Sequence, residues 1–226
     1  FMKKLKTPFV LFWFMLAILF ACREKGDDYY YDVETVETQY DGTIYEYLQA
    51  EKGVYDSLLL VLDRVPDLRR KLNNADSTLT LFAVTNRSFQ LAVDALNTTR
   101  RLTGKTPLYL EDVGLVDVDS MVNRYVLDQV YDTKTLAPFI DGQVVLSTKG
   151  DYKMHIQYKV LDASGFVGGG QQQLLFSDTN NSIFQRYWQQ VNTSAVNIRT
   201  KNGIIHILSA GHDFGFNKFT SKFSSQ

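Results

Sequence analysis

At 226 residues the chain has room for one large domain or two small ones. Its 24 basic and 25 acidic residues give a formal charge of −1, so it has no basic excess of the kind that binds nucleic acid. One cysteine excludes an internal disulfide framework and a cysteine-based zinc knuckle, three histidines leave little for a metal cage, and 45% hydrophobic with 22% charged residues is globular composition.

Lys3, Lys4 and Lys6 make a positive start, and Phe9 to Ala21 then runs 13 residues without a polar side chain. A membrane-spanning helix needs about 20 residues, so this run has the length of a signal-peptide core. It ends in Leu19-Phe20-Ala21-Cys22, which resembles the bacterial lipobox: an apolar residue, a small residue, then cysteine. The resemblance implies cleavage before Cys22, diacylglycerol on its thiol and acylation of its new amino group, an anchor of several chains where one would be marginal. Residues 1–21 are thus read as a leader. Their removal takes away three lysines and no acid, leaving 21 basic against 25 acidic residues. Residues 22–41 are read as the acylated cysteine and an acidic tether, kept extended by Asp27, Asp28, Asp32, Glu34, Glu37 and Asp41. Acids soon after the cysteine also resemble the surface-export signals of Bacteroidetes lipoproteins.

From Gly42 to Phe216 the pattern is one domain of mixed helices and strands. Ile44, Tyr47 and Leu48 share a helical face, as do Val54, Leu58, Val61, Leu62 and Val65 before Pro66, and Leu68 and Leu72 after it. Thr78 to Val84 is apolar and β-branched between polar breaks, and predicts a buried strand. Thr85 or Asn86 then caps a helix carrying Phe89, Val93 and Leu96 on one face. Residues 97–120 are less regular, and Met121, Tyr125 and Leu127 to Tyr131 suggest a further helix. Val144–Thr148 and Tyr152–Tyr158 predict strands joined by a turn at Lys149-Gly150-Asp151. Gly168 to Gln173 predicts a loop, Leu174-Leu175-Phe176 the start of a strand, and Ile183 to Val191 a short helix. Val196–Thr200 and Ile204–Leu208 flank Lys201-Asn202-Gly203, where Asn-Gly suits the two positive-φ positions of a type I′ hairpin. Residues 217–226 read as a short polar tail.

Three segments resemble the fasciclin domain. Thr80 to Phe89, including Thr85, Asn86 and Phe89, is similar to the family's first motif, with Val84 where proline is usual. Asn202-Gly203-Ile204-Ile205-His206-Ile207-Leu208 is similar to the second. Between them the family commonly carries a Tyr-His pair; here Tyr125 is followed by Val126. His212 to Phe216 resembles the ending of Bacteroidetes members. The resemblance implies an α+β fold, a wedge-shaped β-sandwich with helices packed on one side, an extracellular location, and adhesion or binding without catalysis. Animal members are linked to integrin binding through the Tyr-His region. In Bacteroidetes such lipoproteins are often encoded near outer-membrane glycan uptake systems.

No catalytic constellation stands out. His206 alternates on a strand with Ile204 and Leu208 and reads as a hydrogen-bonded structural histidine; His212-Asp213 reads as loop polarity, and His155 as a strand residue facing solvent or a neighbour. There is no G-x-S-x-G elbow, no H-E-x-x-H, no EF-hand spacing and no phosphate-loop lysine after the glycine run. The candidate ligand-binding residues are Tyr187 and Trp188. Flat aromatic faces stack on the apolar C–H edges of sugars, while Phe184, Trp188 and Val191 at helical spacing read alternatively as core. The sequence therefore predicts a non-enzymatic lipoprotein of the outer membrane, with surface display favoured. The expectation includes no cofactor, no metal and no nucleic-acid partner, a membrane contact through the lipid anchor, and an extracellular protein or glycan as ligand. Accessory glycan capture beside an outer-membrane transporter complex is the alternative, and a hydrolase using His212 or His155 a remote one.

Overall fold

The computed structural model describes residues 38–162 and 169–226. The leader, Cys22 and the acidic segment as far as Glu37 lie outside the described residues, as does Gly168. In chain order the elements are α1 (Ile44–Ala50), α2 (Asp56–Arg64), α3 (Pro66–Asn73), β1 (Leu79–Ala83), α4 (Asn86–Leu102), α5 (Leu115–Val122), a 3-10 turn (Asn123–Tyr125), β2 (Val126–Leu127), α6 (Thr133–Leu136), β3 (Gln143–Leu146), β4 (Lys153–Val160), β5 (Gln172–Asp178), a second 3-10 turn (Gln185–Tyr187), β6 (Gln189–Thr200), β7 (Gly203–Leu208) and α7 (Lys218–Phe223).

The helices begin where local chemistry satisfies their free N–H groups. Thr43 and Glu46 form a reciprocal capping box at α1. Pro66 is the first residue of α3, so the break it imposes separates two helices instead of kinking one. Leu58, Val61, Leu62, Leu68 and Leu72 are buried as their spacing predicts, and every residue of β1 is buried.

The strands form one mixed sheet in the order β2-β1-β7-β6-β5-β4-β3, antiparallel throughout except for β1 with β7. The sheet curls until its ends approach: Leu127 bridges Ser147, just past β3. Across the enclosed core Phe82 of β1 stacks on Phe176 of β5, with centroids 3.8 Å apart and planes 6° from parallel. The helices pack alongside this nearly closed sandwich, giving a fasciclin-like α+β fold. A bulge at Asn197, whose φ is +61°, bends β6 where its register against β7 shifts. The Asn197 side chain is turned to Thr133, accepting from its N–H (3.2 Å) and donating to its hydroxyl (2.6 Å), which fixes the start of α6.

Several sequence expectations need correction. The hairpin joining β6 to β7 is present, but Asn202 has no positive φ. Lys201 and Asn202 form the two-residue connection between paired Thr200 and Gly203, so the turn is not type I′ at Asn-Gly. Gly203 instead lies beside Leu79 in the parallel β1–β7 pair with φ +152°; a Cβ there would sit 2.0 Å from the Leu79 carbonyl oxygen. No helix spans 183–191: Asn180 and Asn181 both take left-handed backbone, only Gln185–Tyr187 makes a 3-10 turn, and β6 has begun by Gln189. The expected helix through Tyr131 starts and ends earlier, as α5, because β2 takes Val126 and Leu127 onto the edge of β1.

Residues 217–226 are not simply a polar tail. Phe219 and Phe223 are fully buried in α7, and Arg100 of α4 donates to the carbonyls of Phe223 (2.9 Å) and Gln226 (2.7 Å). At the other end the packed domain includes residues before Gly42: Tyr40 N–H donates to Arg199 O, and Arg199 N–H to Thr38 O, each at 2.8 Å.

Candidate binding surface

The segment between β5 and β6 builds its own scaffold. Thr179 Oγ1 donates to Lys153 O (2.7 Å), and Ser182 N–H to Thr179 O (2.8 Å). The left-handed Asn180-Asn181 pair reverses the chain, and Asn180 Nδ2 donates across the loop to Tyr187 O (2.6 Å). Trp188 closes it: its indole N–H donates to Ser182 O (2.8 Å) and its ring packs on His155 of β4, with centroids 4.7 Å apart. Extended backbone at Trp188 turns the indole back onto the sheet and leaves the preceding residues outside. Ile183 is 86% exposed, Phe184 55% and Tyr187 51%. The Arg186 guanidinium lies over both rings, 5.3 Å from the Phe184 centroid and 4.7 Å from that of Tyr187.

Of the two predicted binding residues, Tyr187 is therefore open and Trp188 is the half-buried anchor beneath it. Phe184, which the helical spacing places in the core, is exposed, because the helix that spacing presupposes is absent. Phe184 and Arg186 are the members of this surface that sequence spacing misses. The sequence signal for them is weak: Asn180-Asn181-Ser182 suits a chain reversal, but the same residue types also suit a helix N-cap.

His155 links this ridge to a second exposed apolar strip. Its Nε2 bonds Asp141 O at 2.9 Å, and it pairs across the sheet with Val144. Val144 is 57% exposed, and Ile140, next to Asp141, is 84% exposed. Burial lowers the His155 pKa, and its Nδ1 is buried without a hydrogen-bond partner among the described residues.

The motif residues serve the frame beneath this surface. Thr85 is the residue before α4, but its buried hydroxyl has no hydrogen-bond partner among the described residues. Asn86 caps a different helix: its Oδ1 accepts the Ser57 N–H in the first turn of α2 (2.8 Å), and its Nδ2 donates to Gly53 O (3.0 Å) and Asp56 Oδ2 (3.1 Å). Phe89 stacks on Phe214, with centroids 4.4 Å apart. Asn202 is buried and joins three segments, accepting from Ile44 N–H (2.8 Å) and donating to the carbonyls of Leu72 (2.8 Å) and Asn74 (3.0 Å).

His206 is fully enclosed. Its Nδ1 accepts the Asn197 N–H of the bulge (3.2 Å) and its Nε2 donates to Tyr131 O (2.8 Å), which assigns the neutral ring; burial pulls its pKa down to about 4. Tyr125 has no histidine beside it in sequence, yet it meets one in space. Its hydroxyl accepts the Gly215 N–H (2.8 Å) and is hydrogen-bonded to His212 Nε2 (2.8 Å), and burial lowers the His212 pKa to about 4. Asp213 turns instead to the Asn217 N–H (2.9 Å), so the adjacent pair does not form an acid–base couple. Among the described residues no group of three or more His, Cys, Asp or Glu is placed to hold a metal ion, and no helix is long and apolar enough to cross a membrane.

No family model matches the chain, and no curated protein matches it. Among solved structures, a FAS1 domain pair from the insect cell adhesion molecule fasciclin I is similar to it with a TM-score of 0.50 and 14% identity, over 74% of this chain and 49% of that chain. This chain thus spans about half the length of the pair. At that identity the likeness establishes the fold.

Proposed function

We propose that the chain is a membrane-anchored, non-enzymatic lipoprotein of the cell surface, and that its fasciclin-like domain contacts protein or glycan through the Ile183–Tyr187 ridge. The lipobox at Cys22 and the acidic segment after it support the anchor and the tether. The similar solved structure comes from a cell adhesion molecule, which supports an adhesion-type role. The observation that carries the reading is the ridge itself: Phe184, Arg186 and Tyr187 stand outside a loop already fastened by Trp188. Aromatic and arginine side chains dominate the energetics of interfaces, and a loop ordered before binding loses less entropy on docking.

Two measurements test this reading. Metabolic palmitate labelling should depend on Cys22, and equal labelling of Cys22→Ser and wild type would remove the anchor. Beads coated with the protein should settle on a glycan array or on immobilised envelope proteins. The double variant Phe184→Ala/Tyr187→Ala should weaken that binding at least about tenfold with the fold intact; binding equal to wild type would remove the ridge from the reading.

One observation favours glycan capture beside an outer-membrane transporter as a second reading. A polar groove of about 330 Å³ starts one residue past Trp188, and Gln189, Gln190, Asn192, Asp213 and Asn217 line it. Amide and carboxylate groups of this kind match sugar hydroxyls. Binding on the glycan array but not to envelope proteins would favour this reading over protein contact.

A further inference from the structure

We propose that the cleft between α5 and α7 binds a tetrahedral oxyanion, a phosphate or sulfate group. The cleft, of about 280 Å³, has a cationic floor formed by Arg124 and Lys218. Its rim carries Ser120 and Asp117 from α5, and Ser221 and Lys222 from α7.

The charge beneath it is unbalanced. Asp178 is fully buried and takes both floor cations on one oxygen, Arg124 at 3.1 Å and Lys218 at 2.7 Å. Its other oxygen accepts the Tyr152 hydroxyl (2.6 Å) and the Asn180 N–H (2.8 Å). Lys222 pairs with Asp117 at 3.2 Å on the rim. Three cations therefore face two carboxylates at a partly buried site, where uncompensated charge is costly. Arg124 Nε, moreover, is buried without a hydrogen-bond partner among the described residues. Burial holds the Lys218 pKa below its ordinary value; Asp178 opposes that shift and Arg124, a like charge, adds to it.

A doubly charged tetrahedral group offers what this floor lacks. It supplies acceptor oxygens for a guanidinium fork and an ammonium, and a counter-charge for the excess cation. The exposed Ser120 side chain lines the rim, where its hydroxyl can donate to such a group. Asp117 is the carboxylate among the described residues that line the cleft, and its pairing with Lys222 limits the repulsion. The site shares no residue with the Ile183–Tyr187 ridge, so either can fail without the other.

Isothermal titration calorimetry of the full chain, purified in detergent, tests the site. The probes are inorganic phosphate, inorganic sulfate and glucose 6-sulfate, against chloride at matched ionic strength. We expect saturable binding of the oxyanions in about the millimolar range or tighter. Lys222→Gln should weaken it about fivefold to tenfold and Arg124→Gln should abolish it. Because Arg124 also holds Asp178, Ser120→Asp serves as the variant that leaves the floor intact. It places a negative charge on the rim and should likewise abolish binding with an unchanged melting temperature. Glucose 6-sulfate binding about tenfold tighter than inorganic sulfate assigns the group to an esterified sugar, and equal affinities assign it to the free anion; both uphold the site. Heats no larger than those of chloride, or binding unchanged in both Lys222→Gln and Ser120→Asp, would overturn it.

Discussion

Asn202 uses both ends of its side-chain amide to bond backbone from two other parts of the chain. The oxygen satisfies the Ile44 N–H, a free donor at the start of α1, and the nitrogen satisfies two carbonyls at the end of α3. A lone turn residue has no such duty, and this separates two explanations of the Asn-Gly pair. In a type I′ turn aspartate replaces asparagine at little cost, because Asp-Gly suits the same backbone. At a buried amide that donates twice, a carboxylate faces the carbonyls of Leu72 and Asn74 with no proton to offer. Asn202→Asp and Asn202→Ala should therefore both destabilise the domain, by on the order of 3–5 kcal/mol. Urea unfolding measures this; an Asn202→Asp midpoint at the wild-type value would return the residue to a purely local role. Gly203 is constrained from outside in the same way, by Leu79 O on the neighbouring strand.

Among the elements, the segment between β5 and β6 is tied mainly by side-chain and turn hydrogen bonds and by one indole, with little apolar burial of its own. Trp188 joins its two ends, through the N–H to Ser182 O and through the ring to His155. Removing that ring should release the ridge while the strands stay paired, because Leu175, Phe176, Ser177 and Asp178 of β5 still meet β6 directly. We expect Trp188→Ala to raise amide hydrogen exchange across 180–187 at least about tenfold with little change in β5 and β7. Trp188→Phe, which keeps a ring without the N–H, should fall between. Exchange at 180–187 unchanged in Trp188→Ala would show that the asparagine turn alone holds the loop. The long apolar periods of α2, α3, β1 and the β6–β7 hairpin were legible because each records one face turned from water. The ridge was not. Phe184, Trp188 and Val191 mimic a helical stripe, and the bonds that prevent the helix, such as Asn180 to Tyr187, are side-chain choices that no periodicity encodes.

At the scale of the whole molecule, all three histidines support the packing as neutral rings. Their roles were only partly readable: the apolar neighbours of His206 announced its burial, but the bulge at Asn197 and the meeting of His212 with Tyr125 depend on segments far apart in the chain. This shared state predicts how the domain responds to acid. In the unfolded chain each imidazole titrates near 6.5; in the folded chain His206 and His212 are lowered to about 4 by burial, and His155 is lowered as well. The unfolded state therefore binds more protons between pH 6.5 and 4, so stability falls as pH falls through that window and stays level above about pH 7. Asp213, whose carboxyl burial raises, works in the opposite direction, but it is one group against three. His206 and His212 each place on the order of 3 kcal/mol at stake, together a large part of the 5–15 kcal/mol typical of a domain. Urea midpoints at pH 7.5, 6.5, 5.5 and 4.5 should decline steeply below 6.5. His206→Gln and His212→Gln, which keep an amide in the hydrogen-bonding position and do not titrate, should each remove roughly half of that decline. A wild-type midpoint as high at pH 4.5 as at 7.5, or a full decline surviving in both glutamine variants, would show that these rings do not govern the acid limit of the fold.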